Sequence, residues 1–404
     1  MDSLRSLPQL LAGDSELIRI LGAKGATLAV PEPARAFAIA ALTHASERRP
    51  IVVATPSAAD ADRLAHDLSA WLDPNDVDTF PAWETLPFER VSPSVETMGR
   101  RLRTMWRLRQ PDRIPRVIVA PARALVQRLG PHVEDVDPVI VRPGDQVDPE
   151  KVVERLVAAG YRREYQVEHR GELAVRGSIV DVFPSTADGP VRVDLWGDEV
   201  DRLTEFSISE QRSTNDIECV EIFPCRELLP TAEVRDRAAA LVGAEPWGRQ
   251  HWERLSEGAA FDGMESWLPW VTEGEHLLAD LVPSDALFVL IEPRRMKDRA
   301  AEILDEEESL ASTLSRTWGA EDREFPRLHL PFDRLLAHTT APVLSMTPVA
   351  EGPGTATIEA RGWGGVVTDN HLLTKQVAEL SGEGYRVVLA ADGAGSAARM
   401  EGLF

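Results

Sequence analysis

Residues 27–42 read TLAVPEPARAFAIAAL, and this stretch decides the class of fold. An apolar segment of strand length (27–30) leads into a proline-rich turn, and an alanine-rich helical segment follows it. Many α/β proteins hold a phosphate in such a strand–turn–helix unit, with a Gly-rich loop that ends in Lys and Ser/Thr. The turn here has no Gly, no Lys and no hydroxyl group. It is either a phosphate site that was lost or an ordinary loop.

Further apolar segments of strand length lie at 51–54, 117–120 and 286–291, among helical patterns. This alternation predicts a parallel sheet with crossover helices. We expect Ser92 to cap one of these helices with Pro93 at its first position, because a serine oxygen can accept a hydrogen bond from a free N–H group of the first turn.

The pattern changes after about residue 140. Residues 171–183 and 191–208 alternate with period two, so that Arg192 and Asp194 share a face opposite the apolar side chains. The segment Trp196-Gly197-Asp198-Glu199 has the composition of a hairpin turn. The sequence therefore predicts an antiparallel β module between α/β segments.

The composition favours a folded protein with protein partners. A chain of 404 residues is long enough for several domains, and its formal net charge of −22 repels nucleic acid on average. With only Cys219 and Cys225, we expect neither a disulfide framework nor a zinc site. No apolar run reaches membrane-spanning length and no signal peptide is evident, so we expect no membrane contact and a cytoplasmic location.

The changes in pattern divide the chain into five segments, the last of which includes a predicted strand at 385–390. We expect the chain to be an N-terminal piece of a longer protein, because its last α/β unit stops after one strand. The predicted segments are a core in two parts (1–136 and 228–342), an inserted antiparallel β domain (137–227), a linker (343–370) and the truncated start of a further small α/β domain (371–404).

Three stretches, at 80–108, 161–184 and 192–213, closely resemble the N-terminal part of the bacterial transcription-repair coupling factor (Mfd) family. That part is in turn similar to the excision-repair protein UvrB, and the similarity covers roughly residues 15–300. The resemblance implies a RecA-like core of degenerate helicase type. The segment at 81–93 is too short for the aromatic hairpin with which UvrB probes DNA damage.

The resemblance also answers the question that the proline-rich turn raises. Two prolines remove N–H donors, Glu32 adds a like charge towards any phosphate, and Ala36 cannot bind Mg²⁺. We therefore expect a phosphate loop that has lost its function. The positions that match the glycines, the lysine and the threonine of the UvrB loop are Ala29, Glu32, Ala34, Arg35 and Ala36.

A second motif shows the same loss. UvrB carries an Asp-Glu pair after a buried strand, and the matching residues here are Ile291 and Glu292, so one carboxylate remains. The resemblance therefore implies no catalytic residues, no metal and no cofactor in this chain. It implies that ATP and Mg²⁺ bind only in C-terminal translocase domains.

In both families the β module binds UvrA, the damage-recognition ATPase. Ala174 stands where UvrB has an arginine. The simpler alternative for Arg176 and Arg192 is a solvated strand face, with Arg192 paired to a carboxylate, and for Phe183 it is corner packing. The positions that match the UvrA contacts of the family are Arg163, Arg176, Phe183, Arg192 and Asp194.

The resemblance implies a non-catalytic adaptor that recruits UvrA to stalled RNA polymerase in transcription-coupled nucleotide excision repair. Later domains would bind RNA polymerase and DNA, and a C-terminal domain of the same protein would mask the β module. One alternative is a UvrB-like DNA-dependent ATPase or helicase. Another is a DNA-binding module at residues 100–116, whose arginines could equally pair with the surplus carboxylates.

Overall fold

The computed structural model describes residues 4–21, 23, 25–321, 323–360, 370–391 and 393–403. The chain divides into two compact units, Met1–Ile358 and Glu359–Phe404. The strands are Thr27–Ala29 (β1), Ile51–Thr55 (β2), Val77–Thr79 (β3), Val117–Pro121 (β4), Val139–Val141 (β5), Arg162–Arg163 (β6), Glu172–Arg176 (β7), Ile179–Val182 (β8), Val191–Trp196 (β9), Glu199–Phe206 (β10), Ser213–Asp216 (β11), Val220–Ile222 (β12), Leu287–Ile291 (β13), Val343–Thr347 (β14) and Ala356–Thr357 (β15).

Helices connect most of these strands. None of the helices in the described ranges combines the length and apolar character that crossing a bilayer requires. The α-helices are Ser15–Leu21 (α1), Arg35–Ala45 (α2), Ala58–Leu68 (α3), Val95–Leu108 (α4), Ala122–Leu125 (α5), Pro149–Ala158 (α6), Ala232–Ala244 (α7), Arg249–Ser256 (α8), Leu268–Val271 (α9), Leu278–Leu281 (α10), Pro293–Thr317 (α11), Phe332–Leu335 (α12), Asn370–Gly382 (α13) and Ala394–Glu401 (α14).

The larger sheet is parallel, with the strand order β15-β1-β14-β13-β2-β4-β3. Successive side chains of a strand point to opposite faces, so both faces of this sheet are apolar. Val53 packs on the face that α1, α2 and α3 cover, and Val52 packs on the face that α4, α5, α11 and α12 cover. The predicted α/β fold class, with a parallel sheet and an inserted antiparallel β domain, is confirmed.

The inserted module is a six-stranded sheet with the order β11-β10-β9-β8-β7-β6. Its apolar face packs on Leu156 of α6 and on the small antiparallel pair of β5 and β12. Trp196 and Glu199 pair across the predicted hairpin turn, and Gly197 adopts a positive φ of 64° within it. Glycine has no Cβ atom, so it takes this conformation without the strain of other residues.

Three local expectations differ from the structure. Strands β14 and β15 continue the parallel sheet into the predicted linker, and residues 361–369 of that linker lie outside the described residues. Residues 385–390 form no strand and are mostly exposed, and no strand in the described part of the chain pairs with them. Ser94 caps α4 instead of Ser92, because the Ser92 hydroxyl already bonds the Gly263 N–H group and Glu265.

A buried ion pair joins the parallel-sheet core to the end of the β module. Arg101 of α4 donates from Nε and Nη2 to Glu227, at 2.7 and 2.9 Å, and neither side chain is exposed to solvent. Trp83 donates its indole N–H to the same carboxylate, and the Pro81 carbonyl accepts from Arg101 Nη1. Because these partners occupy both charged groups, the pair holds α4 against the chain that leaves the β module.

A cluster of aromatic side chains fills the space beside this junction. The His251 ring stacks on Trp267 with 4.4 Å between ring centroids, and His251 Nδ1 is buried without a hydrogen-bond partner. Burial, with smaller contributions from Arg90 and Arg254, lowers the pKa of His251 to about 4. His251 is therefore neutral in the folded protein at neutral pH.

The substitution Arg101→Met tests the buried ion pair. We expect it to lower the free energy of unfolding by about 3–5 kcal/mol, because Glu227 would remain as an uncompensated buried charge. Arg100→Met is the matched control: Arg100 is more exposed and pairs with Glu96 on the same helix, so its loss should cost less than about 1 kcal/mol. Urea unfolding measures both variants, and equal costs would contradict the role assigned to the pair.

The pH dependence of stability tests the environment of His251. Between pH 6.5 and about 4 the unfolded chain binds a proton at this residue that the folded chain does not, so the stability should fall as the pH decreases through this window. In His251→Phe, which keeps a ring against Trp267, that contribution should disappear. Urea unfolding at pH 7 and pH 4.5 measures it, and an identical pH dependence in the two proteins would contradict the assignment.

Candidate functional site

One face of the six-stranded sheet collects most of the predicted contact residues. We call it the outer face, because it lies opposite the apolar face that packs on α6. Strand alternation and the pairing of β7, β8, β9 and β10 bring its residues into adjacent cross-strand rows. Its residues include Ala174, Arg176, Ile179, Asp181, Arg192, Asp194 and Trp196.

Asp181 is the centre of this face, and the sequence analysis did not anticipate it. Its side chain has no exposed surface and accepts two hydrogen bonds from Arg192, at 2.7 Å from Nε and 3.0 Å from Nη2. Arg176 donates to it from Nη2 at 2.5 Å. One buried carboxylate therefore fixes two guanidinium groups, and the hydrogen bond to Asp181 raises the pKa of Arg192 above its usual value.

The two arginines differ in their access to solvent. The Arg192 side chain is 13% exposed and lies over the Phe206 ring, 4.8 Å from its centroid, whereas Arg176 is 39% exposed. Gln211 accepts from both, through its backbone carbonyl from Arg192 and its side-chain oxygen from Arg176. Arg192 thus forms the ion pair that the simpler alternative described, and Arg176 presents the more accessible cation.

The other three predicted residues occupy different environments. Arg163 is exposed on the edge strand β6, with no ion pair among the described residues. Phe183 is buried with Val167 and Phe206, which agrees with the simpler alternative of corner packing. Burial raises the pKa of Asp194, and the nearby Arg192 charge only partly offsets this effect.

The predicted phosphate-loop region borders a cavity of about 240 Å³ at the carboxyl ends of β2 and β13. Ligands of open α/β sheets bind at such ends. Here Arg35 donates to Glu292 at 2.7 Å, and both side chains are largely buried. The two residues that were predicted to match the lysine and the remaining carboxylate thus form an ion pair with each other.

The remaining loop positions offer little to a phosphate. The backbone N–H group of Ala34 bonds the Pro31 carbonyl inside the turn, and Ala29 and Ala36 are buried. Glu32 points a carboxylate into the cavity lining and pairs with Arg63 at 3.2 Å. The turn thus uses the Ala34 donor internally and places a negative charge beside the cavity.

The two residues of the predicted acidic motif are also held by contacts within the protein. Ile291 is a buried apolar member of β13, and Glu292 accepts hydrogen bonds from both Arg35 and Arg295. Burial of Glu292 opposes its ionisation, but the hydrogen bonds and charges of the two arginines outweigh it and lower the pKa of the carboxyl group below its usual value. Glu292 is therefore an ionised partner of two cations.

The arginine-rich segment 100–116 also forms ion pairs. Trp106 is buried against Phe223, where it cannot stack on a base. Each of the seven arginines in residues 100–116 lies within ion-pairing distance of a carboxylate, so their charge is largely neutralised within the protein. The pairs are Arg100–Glu96, Arg101–Glu227, Arg103–Asp78, Arg107–Asp78, Arg109–Asp137, Arg113–Glu221 and Arg116–Asp76.

Three metal-capable side chains meet within the described residues. One ligand atom each from His132, Glu134 and Asp135 lies within 4.8 Å of the others. His132 contacts Asp135 and Glu233, and Glu134 contacts His276, so contacts within the protein account for the cluster. The cluster therefore does not identify a cofactor site.

Comparison with known proteins matches the β module to a family. The model of the UvrB interaction domain matches residues 139–228, which contain β5 through β12 and the outer face.

Relatives that match more of the chain than this module carry the description transcription-repair-coupling factor. That of Mycobacterium bovis is 38% identical over 295 residues, which are 69% of this chain and 24% of the relative. That of Escherichia coli K12 is 30% identical over 251 residues, 59% of this chain and 21% of the relative. The chain thus spans about a quarter of the length of the curated relatives it matches. It is similar to the N-terminal region of transcription-repair-coupling factors and carries a UvrB interaction domain.

Proposed function

We propose that this region is a non-catalytic adaptor that recruits UvrA during transcription-coupled nucleotide excision repair. The observation that carries the proposal is the outer face, on which buried Asp181 orients Arg176 and Arg192 within the segment that matches the UvrB interaction domain. The face presents a cation in a chain whose net charge is −22. A partner surface with carboxylates would complement it.

The chemistry of the arginines supports this role. A planar guanidinium group forms directed, bidentate hydrogen bonds, and arginine is enriched among the residues that dominate binding energy. Asp181 holds both groups before any partner arrives, which lowers the entropy cost of ordering them. Arg176 and Arg163 are the direct contacts in this proposal, whereas Arg192 and Phe183 support the surface from below.

Loss of ATP chemistry is the second part of the proposal. The Arg35–Glu292 ion pair occupies the position where a phosphate-binding lysine and a catalytic carboxylate would act on a nucleotide. Separating it to admit a triphosphate would leave partly buried charges unpaired, which is costly. ATP and Mg²⁺ would act only in translocase domains of a longer protein, which would also contact RNA polymerase and DNA and mask the outer face.

Arg163→Glu and Arg176→Ala test the adaptor role. Loss of a dominant interface arginine costs about 2 kcal/mol or more, so each variant should bind purified UvrA roughly thirtyfold more weakly than the parent. Asp181 keeps its two bonds from Arg192 in Arg176→Ala, so the fold should be retained. Calorimetric titration measures the affinities, and thermal unfolding measures the fold.

Arg299→Ala is the matched control, because Arg299 is an exposed arginine of α11 that pairs with Glu302 on the same helix. Its affinity for UvrA should equal that of the parent. Failure of the parent to bind UvrA, or unchanged binding by both Arg163→Glu and Arg176→Ala, would contradict the proposal.

The alternative, a UvrB-like ATPase, predicts nucleotide binding at the cavity beside Arg35. Titration with a fluorescent ATP analogue and Mg²⁺ should give no saturable signal at micromolar concentrations. Micromolar binding that Arg35→Ala abolishes would favour the enzyme over the adaptor.

A further inference from the structure

Trp196 is the most exposed tryptophan among the described residues. Its side chain lies at the end of β9, two residues beyond Asp194, and is 82% exposed. No aromatic ring or cation in the described residues packs on it. The other described tryptophans are buried or half-buried: Trp71, Trp83, Trp106, Trp247, Trp252, Trp267, Trp270 and Trp318.

The position of this ring follows from the sheet. Alternation along β9 places Trp196 on the same face as Arg192 and Asp194. Arg176 lies across from Ile179, which in turn pairs with Asp194. The exposed ring therefore stands at one end of the face that the arginines occupy.

The hairpin that carries Trp196 is held in place. The Val147 N–H group donates to the Asp198 carbonyl at 2.7 Å, and the Gly144 N–H group donates to the Val200 carbonyl at 2.8 Å. Gln146 donates its side-chain amide to Glu199 at 3.2 Å. A neighbouring loop thus fixes the turn, so binding the ring would order little additional backbone.

We propose that Trp196 is an anchor residue of the docking surface, inserting into an apolar pocket that is flanked by carboxylates on the protein partner. The inference rests on the proposed function and names UvrA as that partner. An exposed indole contributes little to the folded state, but it gains a large apolar contact on burial and ranks with arginine among dominant interface residues. The carboxylates beside the pocket would face Arg176.

Trp196→Ala is the direct test, by calorimetric titration of the 404-residue chain with UvrA. We expect at least tenfold weaker binding with an unchanged thermal unfolding temperature, because 82% of this residue's surface is already exposed in the free chain. Trp196→Phe should recover part of the affinity. Tyr385→Ala is the control, since Tyr385 is 63% exposed and lies outside the β module in sequence, and it should bind like the parent.

The outcomes separate this inference from the adaptor role. If Trp196→Ala binds within twofold of the parent while Arg176→Ala loses affinity, the anchor is overturned and the adaptor role stands. If the parent does not bind UvrA, both are overturned. Equal losses in Trp196→Ala and Tyr385→Ala would also overturn the anchor, because the effect would then lack a specific surface.

Discussion

The ion pair between Arg101 and Glu227 is the contact on which the arrangement of the first unit depends. Arg101 comes from the helix that packs under the parallel sheet, and Glu227 comes from the chain that leaves the β module. A single buried carboxylate accepts hydrogen bonds from Arg101 and from the Trp83 indole, so these three side chains satisfy one another. The β module is therefore held on the core, and its outer face stays free of it.

The core has the layout of an open α/β sheet, and we propose that it lacks the nucleotide chemistry that such sheets support. Parallel strands still end at a crevice, and α2 still begins beside it. Arg35 and Glu292, which border this crevice, form an ion pair with each other. Ion pairs also lie on the outer face, where Asp181 neutralises part of the charge of two arginines and fixes their geometry. In our proposal, the first ion pair excludes a nucleotide and the second orients a docking surface.

Periodicity predicted much of this structure, because period-two alternation and buried apolar runs reflect the sheet directly. It placed Arg176, Arg192 and Asp194 on one face. It could not identify Asp181 as the residue that pairs with them, because its burial depends on cross-strand pairing and on the loop around Gln211. Ser92 and Ser94 are equivalent caps by local propensity, and only the tertiary contact between Ser92 and Gly263 decides between them.

Hydrogen–deuterium exchange of the chain with and without UvrA tests the central claim most directly, because it locates the partner without changing a residue. The account predicts slower exchange, on addition of UvrA, in the loops that border the outer face, at 177–178, 197–198 and 207–212. Residues 29–36 should exchange at an unchanged rate. Protection confined to residues 29–36, with those three loops unaffected, would contradict the assignment of the docking surface.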